Sequence, residues 1–277
     1  MPILTDHLGR DASDLHNKTL WLFDMDGTIY EEDRIFDGTL DLLRKIREDG
    51  GRYMFLTNNS SKSVRDYVTK VTGMGIDADR EDFFTSSQAT VRYIQENFPG
   101  ALVYVQGTRS LVEELQTSGI RVTEEFDLSA EVILVGFDTE LTFEKLRRTS
   151  EMLTKLDVPY IATNLDLVCP VSFGFVPDCG SMCIGLKYAT GKEPTVIGKP
   201  KPTMIELACR KYGVPKEQAV LIGDRLYTDI ASGVNAGVTT ICVLSGEAKL
   251  EEALEYEKQP TYIFESVKTI CEGLKQS

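Results

Sequence analysis

A chain of 277 residues, 42% hydrophobic and 26% charged, has the composition of a globular protein and is long enough for two modest cores. Its formal charge of −13 excludes an extended basic surface, and with it broad binding to nucleic acid or to an anionic membrane. The two histidines, His7 and His16, both precede the first strong apolar run, which excludes Ser-His-Asp hydrolysis and histidine-rich metal sites.

The opening segment, MPILTDHLGRDASDLHNK, is too polar for a signal peptide, and no apolar stretch approaches the ~18 residues of a membrane span. A cytoplasmic protein is expected, with residues 1–17 either a disordered arm or a capping strand. From there the chain gives short apolar runs that each close on a polar residue: TLWLFD at Asp24, RYMFLT at Thr57, and then FFTSS from Phe83. Between the first two, DGTLDLLRKIREDGG predicts an amphipathic helix with Leu40, Leu43 and Ile46 inward and glycine at its end. The middle repeats this style with strands ALVYVQG, EVILVGF and PYIATN and helices over 111–117 and 143–156. Further on come a helix in KPTMIELACRKYG, the strand AVLIGD closing on Asp224, a helix in TDIASGVNAG, and the strands TTICVLSG and TYIFES.

Strands alternating with helices predict right-handed βαβ units, and hence an α/β fold with a doubly wound parallel sheet. Ligands bind such sheets beyond the carboxyl ends of the strands, so Asp24, Thr57 and Asp224 fall on one edge. The middle segment is large enough for its own core. The expected organisation is a core of residues 1–88 and 194–277 interrupted by an inserted α/β domain, residues 89–193. The six cysteines form no CxxC pair and read as reduced thiols.

Four segments carry chemistry. In Asp24-Met25-Asp26-Gly27-Thr28, strand alternation lets two aspartates flank one phosphate, one attacking while the other handles protons, and Gly27 allows a tight turn. Thr57-Asn58-Asn59 offers a hydroxyl, amides and backbone N–H groups to phosphate oxygens, or else an ordinary turn before a helix cap at Ser60 or Ser61. Lys199, in Gly198-Lys199-Pro200-Lys201-Pro202, stands at a helix entrance and suits an anion, whereas Lys201 reads as solvated. In Gly223-Asp224-Arg225-Leu226-Tyr227-Thr228-Asp229, paired acids suit a hard cation, and magnesium prefers oxygen donors together with substrate phosphate. Asp224 reads as a direct ligand; Asp229 reads either as a ligand through water or as an N-cap. Together these make a phosphate site with a carboxylate nucleophile, a metal, a hydroxyl donor and a lysine.

The motifs DMDGT, TNN, GKP and GDRLYTD, in that order, resemble the haloacid dehalogenase superfamily. With TNNS, ATNLD (162–166), PDCGSMC (177–183) and VIGKP (196–200), the chain is most similar to the NagD-like, nitrophenylphosphatase-type branch with a large C2-type α/β cap. The likeness covers nearly all of residues 18–246. It departs in PDCG, where many relatives have PGTG or PACG, and in Tyr227, where many have Asp.

The resemblance implies a Mg2+-dependent phosphomonoesterase acting on small phosphorylated metabolites: nucleoside monophosphates, sugar phosphates or small phosphoacids, and 4-nitrophenyl phosphate in vitro. Asp24 would become an aspartyl phosphate, Asp26 would serve as acid and base, and Asp24, the Asp26 carbonyl and Asp224 would hold the metal. Thr57, Asn58, Asn59 and Lys199 would position phosphate oxygens. The 164–169 turn, with Asn164 and Asp166, would contribute the cap's substrate contacts or form an Asx turn without any. Self-association through the cap is a further implication. A phosphoaspartate signalling receiver and a phosphate-binding protein without turnover are the alternatives, and Asp26 separates them, since a proton-handling acid beside the nucleophile serves turnover.

Overall fold

The computed structural model describes residues 3–61, 63–171 and 173–276. Packing divides the chain into two compact units, one of residues 1–57, 65–84 and 199–277 and the other of residues 58–64 and 85–198.

In the first unit the runs that are apolar on both alternating faces become strands with no solvated side. Leu20–Phe23 and Ala219–Gly223 are buried at every position. The six strands lie in the order Tyr262–Phe264, Thr239–Val243, Ala219–Gly223, Leu20–Phe23, Arg52–Thr57, Phe83–Thr85. Leu20–Phe23 pairs in parallel with a neighbour on each side, Phe23 facing both Phe55 and Ile222. The chain therefore winds outward from Leu20–Phe23 in one direction, returns through Ala219–Gly223 on the other side, and winds outward again. A parallel sheet that reverses in this way opens a crevice at the tips of its central strands. Those tips carry Asp24, Thr57 and Asp224.

Aromatic packing fills the sheet interior near the crevice, with the rings of Phe23, Tyr53 and Phe83 each stacked obliquely on Phe55. Helix Thr39–Glu48 covers part of the sheet and buries Thr39, Leu42, Leu43 and Ile46. Leu40, expected inward, is 38% exposed. The buried positions follow the i, i+3, i+4, i+7 rule from residue 39, and one further residue turns the side chain about 100° off that stripe. Gly38 begins the helix at φ +82°, and a Cβ there would lie 2.5 Å from Lys268 Cα, so glycine is required by both torsion and space.

The N-terminal arm is ordered against the edge strand rather than added to it as another strand. His7 N–H donates to Ile263 O at 2.7 Å, and Ile263 N–H donates back to Asp6 Oδ2 at 3.1 Å. Tyr262 donates its hydroxyl to Asp14 Oδ1 at 2.5 Å. Leu4 and Leu15 are 2% and 1% exposed, Leu4 filling the space over Gly273 where any Cβ would collide at 2.1 Å. An edge strand otherwise offers unpaired backbone groups to other chains, and the arm occupies some of them.

The second unit has its own parallel sheet of five strands in the order Thr195–Val196, Tyr160–Ala162, Val132–Val135, Leu102–Gln106, Arg121–Thr123. Helices Phe143–Lys155 and Cys179–Thr190 close a core of Tyr104, Ile133, Val135, Met152, Tyr160, Cys183 and Leu186. An antiparallel hairpin, Val168–Val171 with Gly174–Pro177, precedes the second of these helices. Residues 58–64 join this unit through Ser60, whose Oγ accepts from Phe137 N–H and meets Thr163 Oγ1, each at 3.0 Å. All six cysteines are free thiols. No described helix is long and apolar enough to cross a membrane.

Leu4→Ala is expected to lower stability by about 2–4 kcal/mol in urea denaturation, because the cavity opens between the arm and the last helix. An unchanged midpoint would mean that the arm contributes no fixed packing.

Candidate active site

Asp24 continues its strand by one residue: its N–H donates to Ile222 O at 2.8 Å, so sheet pairing fixes its backbone. Lys199 is the residue at which the chain re-enters the first unit. It is 3% exposed, and its ammonium donates to Asp24 Oδ1 at 2.5 Å, Asp229 Oδ1 at 2.6 Å and the carbonyl of Leu56 at 3.4 Å. Burial opposes its charge, but Asp229 and Asp24 outweigh burial and hold the amine above its ordinary pKa.

Asp229 reaches the lysine because Leu226–Ile230 forms a π-helical turn, in which the N–H groups of Asp229 and Ile230 both donate to Arg225 O, at 3.0 and 3.2 Å. The wider turn carries residue 229 back against the strand tip. There it is fully buried, with Oδ2 accepting from Arg225 N–H at 3.1 Å. A Cβ on Gly223 would sit 2.4 Å from Asp229 Cβ, so this strand must end in glycine. The N-cap reading of Asp229 is thereby corrected, since its oxygens go to Lys199 and to the residue before the turn rather than to the helix that follows.

Asp224 is 2% exposed and accepts from Thr28 Oγ1 at 3.2 Å and from Glu247 N–H at 2.8 Å. Burial first, then the charge of Asp24, push its pKa up to about 6. The same two causes, in the same order, push Asp229 up to about 7, although Lys199 pulls the other way. Carboxylate oxygens of Asp24, Asp224 and Asp229 all lie within 4.8 Å of one another. Three hard oxygen donors that repel one another in a partly dry site fit a divalent cation of the magnesium type, which would relieve both the repulsion and the burial.

Asp26 is exposed in the turn after Asp24, while Thr57 is buried at the tip of the neighbouring strand, next to the Leu56 carbonyl that Lys199 contacts. The geometry thus brings Asp24, Thr57, Lys199, Asp224 and Asp229 to one edge of the first unit. Asn58, Asn59, Asn164 and Asp166 belong to the second unit. Asn59 Oδ1 accepts from Ser61 N–H and Oγ at 2.9 and 2.7 Å, which is the ordinary turn, and the next helix starts only at Val64. Asn164 is fully buried, its amide donating to Asp166 Oδ2 and Asp178 Oδ1, both at 3.3 Å, and its oxygen accepting from Thr163 Oγ1 at 3.2 Å. These bonds make the Asn164 side chain a brace of its loop. Asp166, half-buried and also bonded by Asn58 Nδ2 at 3.1 Å, is the more accessible acid.

Two contributors went unread. Thr28 stood inside a quoted motif without a role, although a hydroxyl four residues past the strand has an obvious acceptor in any acid on the adjacent tip. Arg225 stands between the two acids of its motif. Burial opposes its charge, yet Asp24, Asp229 and Asp224 together hold it above its ordinary value.

Residues 21–121 match the haloacid dehalogenase-like hydrolase family, and residues 196–270 match a second family described as HAD-hydrolase-like. The chain is 30% identical to an acid sugar phosphatase of Staphylococcus saprophyticus over 95% of its own length and 100% of the relative's. A 4-nitrophenylphosphatase from Thermotoga maritima superposes with a TM-score of 0.88 at 36% identity, covering 94% of this chain and 98% of that one. A glycerol phosphate phosphatase from Mycobacterium tuberculosis, solved in complex with magnesium, gives 0.86 at 28% identity, covering 93% and 77%.

Lys199→Met should destabilise the fold by about 3–5 kcal/mol, because it leaves Asp24 and Asp229 facing each other without a counter-charge. Adding Asp229→Asn should restore part of that loss in the same denaturation measurement. Losses that simply add would show that carboxylate repulsion is not the source.

Proposed function

Because the chain belongs to the haloacid dehalogenase-like hydrolases, and by that kinship is a phosphoric monoester hydrolase, we propose that it hydrolyses small phosphorylated metabolites through an aspartyl phosphate on Asp24, with magnesium as cofactor. The observation that carries the reading is the Lys199 ammonium at 2.5 Å from an Asp24 carboxylate that two further acids surround. A nucleophile needs an oxygen held in a fixed place, and the adjacent ammonium anchors that carboxylate while offering a donor to phosphate.

In the first half-reaction an Asp24 oxygen bonds to phosphorus as the bond to the leaving oxygen breaks, and Asp26 gives that oxygen its proton. In the second, Asp26 takes a proton from water as the water oxygen attacks the aspartyl phosphate, which releases inorganic phosphate and restores Asp24. The exposure of Asp26 supports this role, because its carboxyl is open to a leaving group and to water. Thr57 and Lys199 donate to the phosphoryl oxygens, where charge accumulates. Asp24, Asp224 and the Asp26 carbonyl would hold magnesium, which when bound supplies neutralising charge and in-line orientation. Asp229 keeps Lys199 charged and aimed.

The second unit is read as the cap that selects the leaving group. Its support is an independent sheet and core, and a loop at Asn164–Asp166 whose acid is braced from within. A magnesium-complexed relative at 28% identity supports the choice of metal. The relatives' names, an acid sugar phosphatase, a 4-nitrophenylphosphatase and a glycerol phosphate phosphatase, support small phosphate esters as the substrate class.

With 4-nitrophenyl phosphate as reporter, Asp24→Asn is expected to lower turnover by about 10⁴-fold. Chelation should stop the wild-type reaction until magnesium is returned. Persistent turnover in either case would overturn the mechanism. Asp26→Asn should cost about 10²- to 10⁴-fold in kcat while phosphate still binds, and a fully active Asp26→Asn enzyme would remove the acid–base assignment.

A further inference from the structure

The segment after strand Thr239–Val243 belongs to none of the motifs, yet it grips one of the buried acids of the site. Glu247 N–H donates to Asp224 Oδ2 at 2.8 Å, and Ala248 N–H donates to the Asp224 carbonyl at 2.9 Å, so one short loop holds both the side chain and the backbone of the same residue. Two residues earlier, Ser245 Oγ donates to Gly27 O at 2.9 Å, which ties the loop to the turn that follows Asp24. That turn reaches Asp224 from the other side through Thr28 Oγ1, at 3.2 Å from Oδ1. The carboxylate also lies between two glycines, since a Cβ on Gly27 would come within 2.4 Å of Oδ2 and a Cβ on Gly246 within 2.1 Å. An ion pair between Arg225 Nε and Glu247 Oε2, at 3.1 Å, restrains the outer end.

We propose that Ser245–Ala248 is a clasp that sets the spacing of the metal donors, with Ser245 as its positioning residue. The inference rests on the magnesium reading above. Asp224 has a hydrogen bond on each oxygen and glycine on two sides, so it cannot rotate, and its remaining lone pairs face one fixed direction. The other donor from this region, the Asp26 carbonyl, belongs to the turn that Ser245 links directly to the clasp. Without that hydroxyl both donors remain, but the turn is then held to Asp224 from one side, through Thr28, so the distance between the donors is less tightly set, and a cation with strict octahedral demands must reorganise the turn as it binds.

Calorimetric titration of the metal-stripped full chain with magnesium alone tests this, alongside the magnesium dependence of 4-nitrophenyl phosphate turnover. Ser245→Ala should weaken magnesium binding about 10-fold and shift the half-activating concentration by the same factor, with kcat at saturating magnesium changed less than about 2-fold. Ser245→Thr, which keeps the hydroxyl, should bind like wild type. Ser245→Cys, a similar volume with a weak donor, should follow alanine, and it carries the test if the alanine variant does not fold by circular dichroism. Asp224→Asn reports on the site itself and should lose magnesium binding. Unchanged affinity in Ser245→Ala or Ser245→Cys beside a loss in Asp224→Asn would overturn the clasp and leave the metal site standing. Wild-type affinity in Asp224→Asn would overturn the metal reading, and the clasp with it.

Discussion

Three carboxylates drawn together at the tips of a buried sheet repel one another, by an amount on the order of a few kcal/mol per pair at these separations. The ammonium of Lys199, between Asp24 and Asp229, makes that concentration of charge tolerable, and much of the surrounding structure serves to keep it there. The sheet register fixes Asp24, the π-helical turn delivers Asp229, and the Leu56 carbonyl accepts a further N–H of the ammonium. Formally, Lys199 and Arg225 leave the trio one negative charge in excess. A divalent cation and a phosphate dianion add nothing to that sum when they enter together, so cofactor and substrate suit the site as a pair.

The core of this arrangement was legible because strand and chemistry coincide in the sequence. Each of the runs ending at Asp24, Thr57 and Asp224 is apolar without interruption, and parallel pairing then fixes which residues share an edge. The register of Phe23 against Phe55 and Ile222 turns a likeness of local pattern into adjacency across 200 positions. What escaped depended on geometry that no local pattern encodes. A π-helical turn differs from an α-helix by one residue in its hydrogen bonds, so Asp229 looked like a helix cap. The pattern puts Leu40 on one inward face with Leu43 and Ile46, whereas the buried stripe runs through residues 39, 42, 43 and 46.

The second unit shows the same limit from another side. Asn164 and Asp166 were read alike because both are polar and follow a strand. The hydrogen bonds divide them, with Asn164 enclosed and Asp166 at the surface of its loop. Asp178 explains the PDCG variant: it accepts from Cys179 N–H at 2.5 Å, capping the helix, and also receives the Asn164 amide. Gly180 is required because any Cβ would meet Leu165 O at 2.3 Å. A motif that reads as a family signature is here a set of steric and capping demands around one loop.

The strand order also bears on how the molecule comes into being. Leu20–Phe23 is made before both of its partners, and one of them, Ala219–Gly223, follows only after the whole second unit. During vectorial synthesis the nascent chain can fold residues 85–198 as an independent body while its first strand still lacks a neighbour. Asp24 spends that interval without either of the acids of the GDRLYTD motif. A polypeptide released before residue 199 would therefore carry Asp24 without the lysine or the two acids that surround it in the finished fold.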